Sequence, residues 1–296
     1  MVDASAEQKS VDELIRILDL ERIEVNRFRG ITPPSRSIRV FGGQVIAQAL
    51  VAAYRTVEDR HCHSMHAYFI RPGNPNIPIL YEVDQARNGR SFTTRRVVAI
   101  QNGEQIFNLA ASFQVEEAGF EHQIAMPDVP GPENLMSEDE SRLALAKTAD
   151  PELAKLLSVP RPIELRYVKP QDMEHPAKMD TDSPVWMKLN KTIGDDLHLH
   201  HAVLAYASDM TLLDTCVRPH GVNFFTDTVQ MASLDHAMWF HQPFRTDEWL
   251  LYAQDSPSAS GGRGFNRGSV FTKDGRLVAS VTQEGLIRPT KKKQNS

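Results

Sequence analysis

Asp209 stands where a carboxylate is expensive. It falls inside His201-Ala-Val-Leu-Ala-Tyr-Ala-Ser-Asp-Met-Thr-Leu-Leu213, a run apolar nearly all round, with Ala205 and Tyr206 one turn before it and Leu212 and Leu213 one turn after. On a helix, residues three and four apart share a face, so this acid is ringed by apolar side chains. Burying an unpaired carboxylate costs several kcal/mol, so a chain carries one there only if it is paired or used. The same burial lifts its pKa toward the range useful to a general base. The pattern itself leaves two readings open: a base, or a structural Asp bonded to a loop or facing another subunit.

Two neutral polar residues are placed to join it. In Leu277-Val-Ala-Ser-Val-Thr-Gln283, strand alternation puts Leu277, Ala279, Val281 and Gln283 on one face, which aims Gln283 inward if that face packs on the helix. In Val229-Gln-Met-Ala-Ser233, alternation makes Ser233 an inward hydroxyl beside Val229 and Met231. Taken singly, each is more often a satisfied core polar group. Together with Asp209 they form carboxylate, hydroxyl and amide around one water, a set that can deprotonate it and hold it in line with a carbonyl.

Other chemistries lack their residues. The sequence has no G-x-x-x-x-G-K-[ST], no G-x-S-x-G and no H-E-x-x-H, and the glycines of Gly261-Gly-Arg-Gly264 precede a strand pattern, not a helix. Histidines gather at His61, His63 and His66 and at His198, His200 and His201. Neither group brings an acidic or Cys partner at a recognised ligand spacing, so both read as turn or core histidines and no metal is expected.

The elements that must position these residues repeat. Ala67-Tyr-Phe-Ile-Arg-Pro72 resembles Met238-Trp-Phe-His-Gln-Pro243. Farther on, Ser91-Phe-Thr-Thr-Arg-Arg-Val-Val98, a turn at Asn102-Gly103 and Ile106-Phe-Asn-Leu-Ala-Ala-Ser-Phe113 match Gly264-Phe-Asn-Arg-Gly-Ser-Val-Phe271, Asp274-Gly275 and Leu277-Val-Ala-Ser-Val-Thr282. Both landmarks agree on an offset of about 170 residues. Asn-Gly and Asp-Gly between apolar runs signal hairpins. Each half also carries one helix apolar on every side, residues 44–54 entered through Gly42-Gly43, and residues 201–213. All-round apolarity means burial on every side, which a sheet wrapped around a helix supplies. The expected architecture is two similar α+β halves, residues 1–125 and 161–296. The Pro-, Glu-, Asp- and Ser-rich stretch 126–160 connects them and carries a helical patch near residues 141–157.

Composition bounds the rest. The chain has 296 residues, 41% hydrophobic and 24% charged, a globular balance long enough for a real core. Net charge is −5, so no global basic field draws it to nucleic acid or anionic lipid. Two distant cysteines, Cys62 and Cys216, fit a reducing compartment. No secretory leader pattern, no apolar run of about 18 residues and no Ser-Lys-Leu ending is present, so a soluble cytoplasmic protein with a solvated tail at residues 291–296 is expected.

The ordered motifs Phe41-Gly-Gly-Gln44, His63-Ser64, Tyr68-Phe-Ile-Arg-Pro-Gly73, Ala99-Ile-Gln-Asn-Gly103, Ala118-Gly-Phe-Glu-His-Gln123, Tyr206-Ala-Ser-Asp209, Asp235-His-Ala-Met-Trp-Phe-His241 and Gln283-Glu-Gly285 resemble the acyl-CoA thioesterase II family from about Leu18 to Arg288. The resemblance implies a double hotdog fold, each half an antiparallel sheet wrapped around a long helix. It implies hydrolysis of fatty acyl-CoA to free acid and CoA, with no metal or redox cofactor. The family's Asp and Gln fall on Asp209 and Gln283. Its Thr falls on Ser233, which keeps the hydroxyl and loses the methyl that restricts the rotamer.

From that reading further expectations follow. An oxyanion site needs backbone N–H donors, and Gly42 and Gly43 at a helix entry offer them. CoA phosphates need a local basic cluster, for which Arg90 and Arg95, within the run that also holds Arg87 and Arg96, and Arg263 with Arg267 in the matching place, are candidates. Phe69, Met238 and Trp239 are candidates to line an acyl channel, and His63 is a rival base whose ordinary reading is structural. A homo-oligomer is expected. Two other readings are a hotdog enoyl-CoA hydratase, for which Asp235-His236 offers an acid/base pair split across a strand, and an inactive acyl-CoA binding module, favoured by Ser233.

Overall fold

The computed structural model describes residues 4–33, 38–224 and 228–290; residues 291–296, expected as a tail, lie outside these. Helix α1 (Ala4–Leu18) is amphipathic, burying Val11, Leu14, Ile17 and Leu18 at helical spacing. The hairpin of β1 (Glu21–Glu24) and β2 (Arg27–Gly30) leads to α2 (Gly42–Tyr54), then β3 (His61–Phe69), β4 (Ile79–Asn88), β5 (Phe92–Gln101) and β6 (Glu104–Gln114). After the connecting segment come β7 (Ile163–Tyr167), β8 (Val185–Leu189), α5 (Leu197–Ser208), β9 (Val229–Ser233), β10 (Asp235–Phe240), β11 (Leu250–Ser260), β12 (Arg263–Thr272) and β13 (Leu277–Pro289).

The strands form one antiparallel sheet in the order β1-β2-β4-β5-β6-β3-β10-β13-β12-β11-β8-β7, with β9 also on β13. Read outward from the β3–β10 junction, the two sides run in matching sequence, which is the predicted repeat laid out in space. The junction pairs Met65 with Met238 and Tyr68 with Asp235. Each half-sheet curls around its own helix, and α2 packs against α5, so both helices are buried on every side. This is the double hotdog arrangement. Gln48, buried in the middle of α2, is bonded at both ends of its amide: it donates to the Ile17 and Ile31 carbonyls and accepts from the Tyr81 hydroxyl at 2.7 Å.

Three boundaries differ from the sequence reading. The second helix was expected over residues 201–213 but spans Leu197–Ser208. Asp196 caps it by accepting from the His198 N–H, which starts it earlier. Asp209 is its C-cap residue, and the apolar residues beyond continue as a turn and a short 3₁₀ segment, Leu213–Cys216. The helical patch near residues 141–157 is two helices, α3 (Glu138–Ala146), opened by a capping box from Ser137 and Glu140, and α4 (Pro151–Leu157), opened by Asp150 with Pro151 in its first turn. Finally, Gly42 and Gly43 lie within the first turn of α2 itself. The Asn102-Gly103 turn forms as read, both residues at positive φ (51° and 77°), which a two-residue turn between twisted strands demands.

The crossing of the two helices leaves no room at the start of α2. A Cβ on Gly43 would lie 2.4 Å from the Tyr206 carbonyl oxygen of α5, a backbone atom that cannot rotate away. Gly43→Ala is therefore expected to push the helices apart and destabilise the fold by about 1–3 kcal/mol, read as a fall in Tm. An unchanged Tm would contradict this packing.

Candidate active site

Asp209 is held between two helix ends. It closes the C-terminus of α5, where carbonyl oxygens point outward and a negative charge is disfavoured. It faces the N-terminus of α2, where the Gly43 N–H donates to its carboxylate. Gly42 makes the approach possible, because a Cβ there would sit 2.5 Å from Asp209 Oδ2 and 3.0 Å from the Phe69 ring. The first intrahelical bond of α2 runs from the Val45 N–H to the Phe41 carbonyl, so the N–H groups before it have no acceptor within the helix.

The two neutral partners expected from strand alternation arrive. Gln283, fully buried on the inner face of β13, donates from Nε2 to Asp209 Oδ1 at 2.5 Å. The Ser233 hydroxyl donates to the same oxygen at 3.3 Å. Ser233 sits at the end of β9 opposite Gly285, and the chain bends at Leu234, whose N–H donates to the Glu284 carbonyl. Burial pushes the Asp209 pKa up to about 6; the bonds from Gln283, Ser233 and Gly43 hold it from rising further. The structure thus assembles carboxylate, hydroxyl and amide from α5, β9 and β13.

Residues that sequence reasoning did not place complete the surroundings. His236 of β10, fully buried, lies within hydrogen-bonding distance of Gln283 Nε2 (3.1 Å) and the Ser208 hydroxyl (2.9 Å). Its inward direction was legible from strand alternation; its partners were not. Asp214, in the 3₁₀ segment after α5, has its pKa pushed up to about 7 by burial and then by the charge of Glu138, with Arg161 and Arg218 opposing. An acid within an apolar run was the available signal there too.

The arginines fare differently. Arg95 was expected near CoA phosphates, but it is only 2% exposed. Its guanidinium donates to the Thr56 hydroxyl and carbonyl, to Asn88 Oδ1 and to the Arg87 and Thr94 carbonyls. It braces the strand ends against the loop after α2, which leaves its guanidinium no free edge for phosphate. Arg90 is exposed at the β4–β5 turn. Arg263 pairs with Glu284 and Arg267 with Asp255, both on exposed positions of β12. Among the channel candidates, Met238 is fully buried core, Trp239 packs edge-on to His66, and only Phe69 borders Gly42 and Asp209. His63 bonds the Ser112 hydroxyl at 2.8 Å and packs on Phe92, as a structural residue does.

The fold is a double hotdog, and a carboxylate with a raised pKa meets an amide and a hydroxyl at the seam of its two halves. Residues 164–286 match the family profile described as acyl-CoA thioesterase, and residues 32–114 match the acyl-CoA thioesterase N-terminal domain. Acyl-CoA thioesterase 2 of Haemophilus influenzae is 40% identical over 94% of this chain and 98% of its own. The crystal structure of acyl-CoA thioesterase II TesB2 from Mycobacterium marinum aligns at a TM-score of 0.77 and 41% identity, over 95% of this chain and 99% of that one. A hot dog fold protein from Alicyclobacillus acidocaldarius aligns at 0.74 and 20% identity, over 94% and 99% of the two chains. The chain belongs to the acyl-CoA thioesterase family, whose reaction is thioester hydrolysis. No helix among the described residues is long and apolar enough to cross a membrane.

Arg95→Ala is expected to cost stability, on the order of 3 kcal/mol, because several buried acceptors lose their donor. Denaturant unfolding checks this; wild-type stability with a raised KM for acyl-CoA would contradict it and restore the phosphate role.

Proposed function

We propose that the protein hydrolyses fatty acyl-CoA to free fatty acid and CoA by direct attack of a water activated by Asp209 and held by Ser233 and Gln283. The observation that carries this is the convergence of Gln283 and Ser233 on one oxygen of a half-buried carboxylate whose pKa is near 6. Such a group is ionised at neutral pH yet basic enough to accept a proton in the transition state. The Gln283 Oε1 is buried without a protein partner, which suits it to accept a hydrogen bond from that water.

In the reaction, the water oxygen bonds to the thioester carbon as Asp209 takes its proton. The tetrahedral intermediate then collapses, the carbon–sulfur bond breaks, and Asp209 returns the proton to the departing CoA thiolate. No covalent enzyme intermediate is needed, because a thiolate leaves readily. Charge on the carbonyl oxygen needs backbone donors. The Gly42 N–H at the head of α2 takes that role in this reading, with Gly43 committed to Asp209 in the free protein. The exposed Arg90, Arg263 and Arg267 remain the candidates for the CoA phosphates. We also place the protein in the cytoplasm as a homo-oligomer, with residues 1–125 and 161–296 as its two hotdog units joined by residues 126–160.

The hydratase alternative loses support from the geometry, since Asp235 turns to the Glu284 N–H while His236 points into the core. A binding module would bind acyl-CoA without turnover. Release of thiol from palmitoyl-CoA, followed with a thiol reagent, separates the readings. Turnover by the wild type and a loss of about 10²-fold or more in Asp209→Asn are expected; unchanged kcat in that variant removes Asp209 as the base. Because the base must be ionised, kcat/KM is expected to fall as pH drops through about 6, following the Asp209 pKa. A flat acid limb down to about pH 4 contradicts the assignment.

A further inference from the structure

The side-chain amide of Gln283 has two ways to sit, with its NH₂ or its oxygen toward Asp209, and only one assists an ionised base. Both neighbours of Gln283 Nε2 bear on that choice. One proton of the NH₂ goes to Asp209 Oδ1 at 2.5 Å; the other points to His236 Nδ1 at 3.1 Å. The second bond requires Nδ1 to be an acceptor, so the ring must be neutral with its proton on Nε2. The rest of the contacts fit that tautomer: His236 Nε2 lies 2.9 Å from the Ser208 hydroxyl, and Ser208 donates onward to the Ala205 carbonyl at 3.0 Å within the last turn of α5. His236 is fully buried, and burial pulls its pKa down to about 3.

We propose that His236 is a positioning residue for hydrolysis: its neutral ring, protonated on Nε2 and held by Ser208, fixes the Gln283 amide with its NH₂ edge toward Asp209. This inference rests on the reading of Asp209 and Gln283 given above. A flipped amide would set its oxygen against two acceptors, the Asp209 carboxylate and His236 Nδ1. A charged or Nδ1–H ring would set a donor against the NH₂. The chain from Ala205 through Ser208, His236 and Gln283 to Asp209 therefore closes on itself, beginning and ending at the last turn of α5. With the NH₂ so committed, the buried and unpartnered Gln283 Oε1 is left as the acceptor for water. The other titratable groups facing Asp209 are Asp214 and, from β11, Tyr252; neither contacts Gln283 Nε2.

Nitrogen-15 NMR of histidine-labelled protein reads the tautomer directly. His236 is expected to hold its proton on Nε2, without titrating, from about pH 5 to 9; an Nδ1–H tautomer or a charged ring overturns the proposal. In kinetics, His236→Phe and Ser208→Ala are expected to lower kcat about 10–100-fold with KM changed less than about twofold. They are also expected to move the acid limb to higher pH, because the ionised carboxylate loses its bond from Gln283. His236→Asn, whose amide oxygen takes the place of Nδ1, is expected to recover most of kcat. Folded His236→Phe or Ser208→Ala protein with wild-type kcat and acid limb overturns the proposal, and should His236→Phe not fold, Ser208→Ala and the NMR spectrum decide. If Asp209→Asn keeps its turnover, the base assignment itself fails; if only the His236 and Ser208 variants are silent, the failure belongs to the positioning role.

Discussion

The contact on which the site depends is that of two helix ends with a carboxylate between them. Asp209 is at the wrong end of its own helix for a negative charge and at the right end of the neighbouring one. That balance keeps it ionisable while burial makes it basic. It requires α2 and α5 to cross more closely than any side chain at Gly42 or Gly43 permits. The all-round apolar helices, the sheets that wrap them and the glycine pair are thus parts of one requirement. A carboxylate partly withdrawn from water has to remain within reach of donors.

The repeat also gives the two helix crossings different contents. The matching position at the other helix crossing is the C-terminus of α2, against the start of α5. There the chain places Tyr54, whose hydroxyl accepts from the Cys62 N–H at 2.8 Å and bonds His201 Nδ1 at 2.7 Å, while its ring stacks on His198. Aromatic rings close that end, and Arg95 lies inward on β5 much as Asn266 does on β12. One crossing became a packed joint and the other kept a carboxylate. The histidine groups that the sequence shows are in part the furniture of the packed crossing.

Much of this is legible in the sequence. Asp209, Ser233 and Gln283 were visible because an acid in an apolar run is costly and because strand alternation fixes which side chains point inward. The repeat was visible through its turns. What escaped were quantities set by tertiary partners. The apolar run continues past the helix end, so periodicity placed the terminus at residue 213, whereas Asp196 and the C-cap at Asp209 set it. Arg95 and Arg96 are neighbours with opposite directions, and the sequence does not say which of the two faces inward. The tautomer of His236 is decided by Gln283 and Ser208, residues 47 and 28 positions away.

Titrating Asp209 itself tests the central claim most directly. Carbon-13 NMR of the aspartate carboxyls, assigned by loss of one signal in Asp209→Asn, gives its midpoint without reference to turnover. The account expects a midpoint about two units above an ordinary aspartate, at about pH 6. A midpoint in the ordinary aspartate range would show a well-solvated or salt-bridged acid and contradict the account.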